Sequence, residues 1–75
     1  MHQMRRLTAI IEREDDGYFS FCPEVDVASQ GDSIEEARAN LIEALTLFFE
    51  TASPAEIESR MHHEVLITQV EVPVG

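Results

Sequence analysis

Three sets of residues have types and spacings that could do chemistry. The first is carboxylate: Asp15, Asp16, Glu24, Asp26 and Asp32 stand at turn-like positions between strand-like runs. If they converged they could hold two Mg²⁺ ions for phosphodiester hydrolysis. Their spacing does not select that chemistry, because an Asp at a turn is already explained by its bonds to the local backbone. The second set is His62-His63-Glu64. Neighbouring residues at the start of a strand point to opposite faces, and zinc needs three or four ligands in usable geometry. His2 is the one remaining histidine, so this set reads as a polar junction. The third is Cys22, the sole cysteine. A thiolate nucleophile needs positive surroundings, and Phe21, Pro23 and Glu24 supply none, so Cys22 reads as a buried strand thiol. Ser20, Ser29, Ser33 and Ser53 lack spaced His and Asp partners of the triad kind. The glycines are scattered and form no phosphate cradle. No catalytic residue, metal ligand or cofactor site is expected.

The elements that must position these residues can be read from periodicity and turn chemistry. MRRLTAIIER, residues 4–13, places Leu7, Ala9 and Ile11 on one face at period two and reads as a first strand. Glu14-Asp15-Asp16-Gly17 is a hairpin signal, with Gly17 expected to take a positive φ. Residues 18–22 form a second strand, with Phe19 and Phe21 expected to face a helix. Pro23 ends it, and residues 27–30 form a short third strand. Ser33-Ile34-Glu35-Glu36 is a capping box, with Glu36 reaching back to the Ser33 N–H. The helix it opens runs to about residue 50, carrying Ile34, Ala37, Leu41, Ala44 or Leu45, and Phe48 as its core stripe, with Ile42 and Phe49 on the flank. Ser53-Pro54-Ala55-Glu56 opens a second helix of about two turns. Residues 65–72 read as a last strand, with Leu66, Val70 and Val72 on one face and Val65 and Ile67 on the other. The expected fold is α+β, in the order β-β-β-α-(short α)-β, an antiparallel sheet packed on one main helix in a single domain over 1–75.

The chain has 75 residues and a net charge of -10, with 15 acidic residues against five arginines and no lysine. Such a balance repels phosphate backbones, so direct nucleic-acid binding is not expected. It favours encounter with a basic partner. A lone thiol fits a reducing compartment, and no apolar run reaches the roughly 18 residues of a membrane span. The expectation is a soluble, cytoplasmic protein. A domain this small is marginal alone, and the apolar content of the long helix and the last strand exceeds what one small layer buries. Self-association, as a dimer or tetramer, is therefore expected through Phe49, Val65 and Ile67.

One stretch gathers these devices. Gly17-Tyr18, Cys22-Pro23-Glu24, Ser29-Gln30-Gly31-Asp32-Ser33, Glu35-Glu36-Ala37, Asn40 and Glu43-Ala44 together resemble the HicB antitoxin family. Its members show a G-Y…P-E-L-P-G-C…[ST]-x-G-[DE]-T-x-E-E-A pattern. The chain departs from it at Val25-Asp26-Val27, where many members have a Leu-Pro-Gly-Cys turn. The resemblance implies a partial RNase H-like fold without catalysis. It also implies self-association and binding of HicA, a small basic mRNA-cleaving toxin, whose active site would be occluded. Many members continue into a DNA-binding domain; the resemblance here is to a short form without one. The acidic turn residues Glu24, Asp26 and Asp32 are the candidates for toxin contact. The competing readings are an orphan oligomeric binding module and a vestigial metal-dependent RNase H-like nuclease resting on the turn carboxylates.

Overall fold

The computed structural model describes residues 4–75. Three strands, β1 (Ile10–Glu14), β2 (Gly17–Cys22) and β3 (Val27–Gly31), precede two helices, α1 (Ile34–Thr51) and α2 (Pro54–Arg60). The strands form one antiparallel sheet in the order β1-β2-β3. The fold is α+β, with α1 laid across β2 and β3.

The first hairpin closes between Glu14 and Gly17, with Asp15 and Asp16 as its loop. Asp15, not Gly17, takes the positive φ, at 53°; Asp tolerates this region because its short polar side chain bonds locally. Gly17 is needed for a different reason. A Cβ there would sit 2.8 Å from the Gly31 carbonyl oxygen on the neighbouring strand. The second hairpin pairs Cys22 with Val27 around a loop of Pro23, Glu24, Val25 and Asp26, in which Asp26 has φ 56°.

The helix packs on the opposite face of β2 from the one expected. Ser20 and Cys22 are buried beneath α1, and the Ser20 hydroxyl donates to the Ala37 carbonyl at 2.9 Å. Phe19 and Phe21 lie half-buried on the outer face, with ring centroids 6.5 Å apart. The reason is the close approach of helix to sheet. A Cβ on Gly31 would come within 2.4 Å of the Ala37 amide nitrogen, so the contact admits glycine, serine and cysteine but not phenylalanine. The buried core is Cys22, Val25 and Leu41, with Leu7, Val27, Leu45, Phe48, Phe49 and Met61 packed around it. On α1 the expected stripe holds at Ala37, Leu41, Leu45 and Phe48, whereas Ile34 and the flanking Ile42 are exposed.

Both helix caps form. Ser33 accepts from the Glu36 N–H at 3.0 Å, and Glu36 reaches back to the N–H of Asp32 at 2.7 Å, one residue before the expected donor. Ser53 accepts from the Glu56 N–H at 3.1 Å, with Pro54 in the first turn of α2. Arg60 then fastens α2 to the second hairpin. Its guanidinium donates to the carbonyls of Val25 and Asp26, both at 2.9 Å, and lies over the Phe48 ring at 5.0 Å. The His62 N–H adds a bond to the Glu24 carbonyl at 2.7 Å.

Two strand expectations are corrected. Pairing of β1 begins at Ile10, so residues 4–9 run on outside the ladder. Pro23 brings no N–H to extend it, and the Glu24 carboxylate takes the place of a strand partner, accepting from the Thr8 N–H at 3.0 Å and the Thr8 hydroxyl at 2.6 Å. The last strand, predicted over 65–72, pairs with no other strand among the described residues. Alternation alone cannot make a strand, because the backbone N–H and C=O groups need an edge to bond to.

Candidate functional site

An acidic cleft lies where the first hairpin, the end of β3 and the start of α1 meet. It encloses about 610 Å³, and its lining includes five carboxylates: Glu14, Asp15, Asp16, Asp32 and Glu36. Each is placed by a local device. Glu14, Asp15 and Asp16 are carried by the hairpin, and Asp32 and Glu36 by the N-terminal cap of α1. The β2–β3 register pairs Tyr18 with Gly31 and so brings the two turns together. Asn40 ties α1 to β3 by donating to the Gln30 carbonyl at 2.8 Å. No cation lines the cleft. Arg13 stands just outside, over the Tyr18 ring at 5.7 Å.

Such a surface suits the guanidinium and ammonium groups of a basic protein. Among the described residues no three His, Cys, Asp or Glu side chains converge closely enough to hold a metal ion. The His62-His63 pair diverges: the Nε2 of His62 meets Asp26 and that of His63 meets Glu58, each at 2.9 Å. His2 lies outside the described residues.

The three carboxylates proposed from sequence for partner contact do not share one surface. Asp32 lines the acidic cleft. Glu24 and Asp26 belong to the turn that follows the far end of β2 and are engaged structurally there, Glu24 with Thr8 and Cys22, Asp26 with His62. Burial by itself raises the Glu24 pKa, but the two Thr8 hydrogen bonds and the Cys22 thiol more than offset it and hold the carboxyl below its ordinary value. Burial, with the Sγ–H directed at Glu24 Oε1 3.3 Å away, pushes the Cys22 thiol up, so Cys22 remains protonated and unreactive at neutral pH. Sequence reasoning missed Glu14 and Glu36 as members of the cleft. The hairpin and the cap were both legible, but their proximity depends on the strand register.

A second surface has the opposite character. A groove of about 1130 Å³ runs between residues 4–9 and α1. Leu41, Ile42, Leu45 and Phe49 form its apolar floor, and Arg5, Arg6 and Arg38 rim it. Phe49, expected at a self-interface, lies here with the Arg5 guanidinium 5.3 Å from its ring centre. Of the other two residues expected there, Val65 is half-buried and Ile67 is exposed. No described helix is long and apolar enough to cross a membrane.

No family model matches the chain, and no solved structure does. Curated relatives are found. A UPF0150 protein of Synechocystis sp. is 54% identical over 46 residues, 59% of this chain and 64% of its own length. A second from the same organism is 43% identical over 51 residues, 65% of either chain. The matches thus span just under two thirds of each Synechocystis protein. A UPF0150 protein of Helicobacter pylori is 33% identical over 67 residues, which takes in 88% of this chain and 93% of that one. Near full-length similarity at that identity settles the family: this chain belongs to the UPF0150 proteins.

Proposed function

We propose that the chain is a non-catalytic binding protein of the HicB antitoxin type, which neutralises a small basic mRNA-cleaving toxin by covering its active site. The observation that carries this reading is the acidic cleft: Glu14, Asp15 and Asp16 of the first hairpin face Asp32 and Glu36, which belong to the Gln-Gly-Asp-Ser and Glu-Glu-Ala elements that resemble that family. A ribonuclease must present lysines and arginines to its substrate's phosphates, and a cleft rimmed by carboxylates competes for those groups. The reading needs no cofactor and no nucleic-acid contact by this chain.

The test is co-expression with a HicA-type toxin encoded in the same genome, followed by co-purification and an RNA cleavage assay. We expect a stable complex, suppression of cleavage, and weakening of the complex as salt is raised. The triple variant Asp15→Asn, Asp16→Asn, Asp32→Asn should weaken binding by about tenfold or more, or about 1.4 kcal/mol. Asn tolerates the positive φ of Asp15, so the hairpin should persist. Absence of such a toxin gene, or a toxin that ignores this chain, overturns the reading.

A further inference from the structure

The segment 62–75 and the arginine-rimmed groove are each incomplete, and each has what the other lacks. Along the segment, Leu66, Val70 and Val74 are 85%, 78% and 92% exposed, and Val72 is also exposed. These residues share one face at period two, which makes the segment a strand in pattern that has no strand partner among the described residues. Beyond His62 and His63 its charges are Glu64 and Glu71, with no Lys or Arg. The groove is walled on one side by residues 4–9, which lead directly into β1, the end strand of the sheet. Its floor is apolar, Glu50 is its single acid, and three of the chain's five basic side chains line it.

The overall dimensions point the same way. The radius of gyration is 14.5 Å and the long axis 50 Å, whereas a compact chain of this length has a radius near 11 Å. The excess is what an element held away from its own core produces. Arg60 and the His62 N–H anchor the start of the segment to the second hairpin, and beyond that anchor the groove stays open.

We propose that two copies of this chain exchange residues 64–74. Each copy lays its segment into the other's groove, along residues 4–9 and the free edge of β1. Leu66, Val70 and Val72 would meet Ile42, Leu45 and Phe49, with Glu64 on that same face and Glu71 on the opposite one, along the rim, so that the two bracket the segment with charge opposite to Arg5, Arg6 and Arg38. Reciprocal exchange is a closed two-fold arrangement. It adds the missing strand by edge pairing and removes an exposed edge and an exposed apolar strand together. It moves the self-interface from the Val65 and Ile67 face to the face carrying Leu66, Val70 and Val72.

The test uses complementary charge reversals at exposed positions. One full-length variant carries Arg5→Glu, Arg6→Glu and Arg38→Glu; the other carries Glu64→Arg and Glu71→Arg. The wild type should have twice the 8.5 kDa chain mass by light scattering, with slow amide exchange over 65–72. Each variant alone should be monomeric, with that exchange accelerated by tenfold or more and its helical circular dichroism retained. Mixing the two should restore the dimer, because each then offers the other an oppositely charged groove and segment. A monomeric wild type overturns the proposal, including one whose 65–72 amides are protected by its own groove. So does a dimer that both variants leave intact, or a mixture that stays monomeric.

Discussion

Gly31 is the position where a single methyl group does the most damage. Its missing Cβ lets α1 approach until backbone touches backbone, and the atoms a Cβ would strike are the Ala37 nitrogen and the Glu36 carbonyl carbon, neither of which can swing aside. Gly31→Ala should therefore destabilise the fold by about 1–3 kcal/mol, read by urea denaturation. Ser20 shares this contact. Ser20→Ala, which removes only the bond to Ala37, should cost about 1 kcal/mol. Glu24 makes stability depend on pH. Its carboxyl is held below the ordinary value of 4.5, so the unfolded chain binds protons more readily than the folded one. The Glu24 contribution is complete above that ordinary value and is lost as pH falls through the lower folded value. Glu24→Gln should accordingly be less stable than wild type at pH 7, and the gap should close in acid, as denaturation at the two pH values will show.

At the scale of elements, caps and fastenings matter more than the length of the apolar stripe. The α1 cap at Ser33 satisfies a helix N–H and sets the entry of the chain from β3. Ser33→Ala should cost about 1 kcal/mol, seen as a lower urea midpoint with an unchanged slope. The two helix starts were legible in the sequence because a Ser followed three residues later by Glu is a local device. The face of β2 turned to α1 was not. Phe19 and Phe21 carry the larger apolar surface and pattern as the core face, yet Ser20 and Cys22 occupy it. Period two says which residues share a face; it does not say how near the helix comes. The burial of Val25 in a loop was likewise invisible, because it depends on α2 and Arg60 closing over that loop from 35 residues away.

For the whole molecule, the separation of charge is the organising fact. A chain of net charge -10 keeps Arg5, Arg6 and Arg38 around an apolar groove and leaves the acidic cleft without a cation. A surface this acidic repels itself in the folded state. Raising salt should therefore raise the melting temperature of the protein while weakening the proposed complex with a basic toxin, and calorimetry alongside titration would separate the two effects. The two surfaces use different residues of α1: the cleft joins Glu36 and Asn40 to the first hairpin, and the groove joins Arg38, Leu41, Ile42, Leu45 and Phe49 to residues 4–9. The proposed partner capture and the proposed segment exchange should therefore be independently mutable, since no residue lines both surfaces.

The sequence by itself determined the acidic balance and the local devices: the Asp-rich hairpin, the Pro23 stop and both Ser caps. Each depends on neighbours within a few residues, so spacing is enough to specify it. Only the tertiary structure decided which turns become neighbours. Strand register brought Asp32 to Asp15 and Asp16 and sent Glu24 and Asp26 to the other end. The closeness of the helix chose Ser20 over Phe19, and the want of an edge partner left 65–72 outside the sheet, with 66–72 exposed. These are long-range outcomes, in which contact distance and backbone pairing override a pattern that local sequence can only propose.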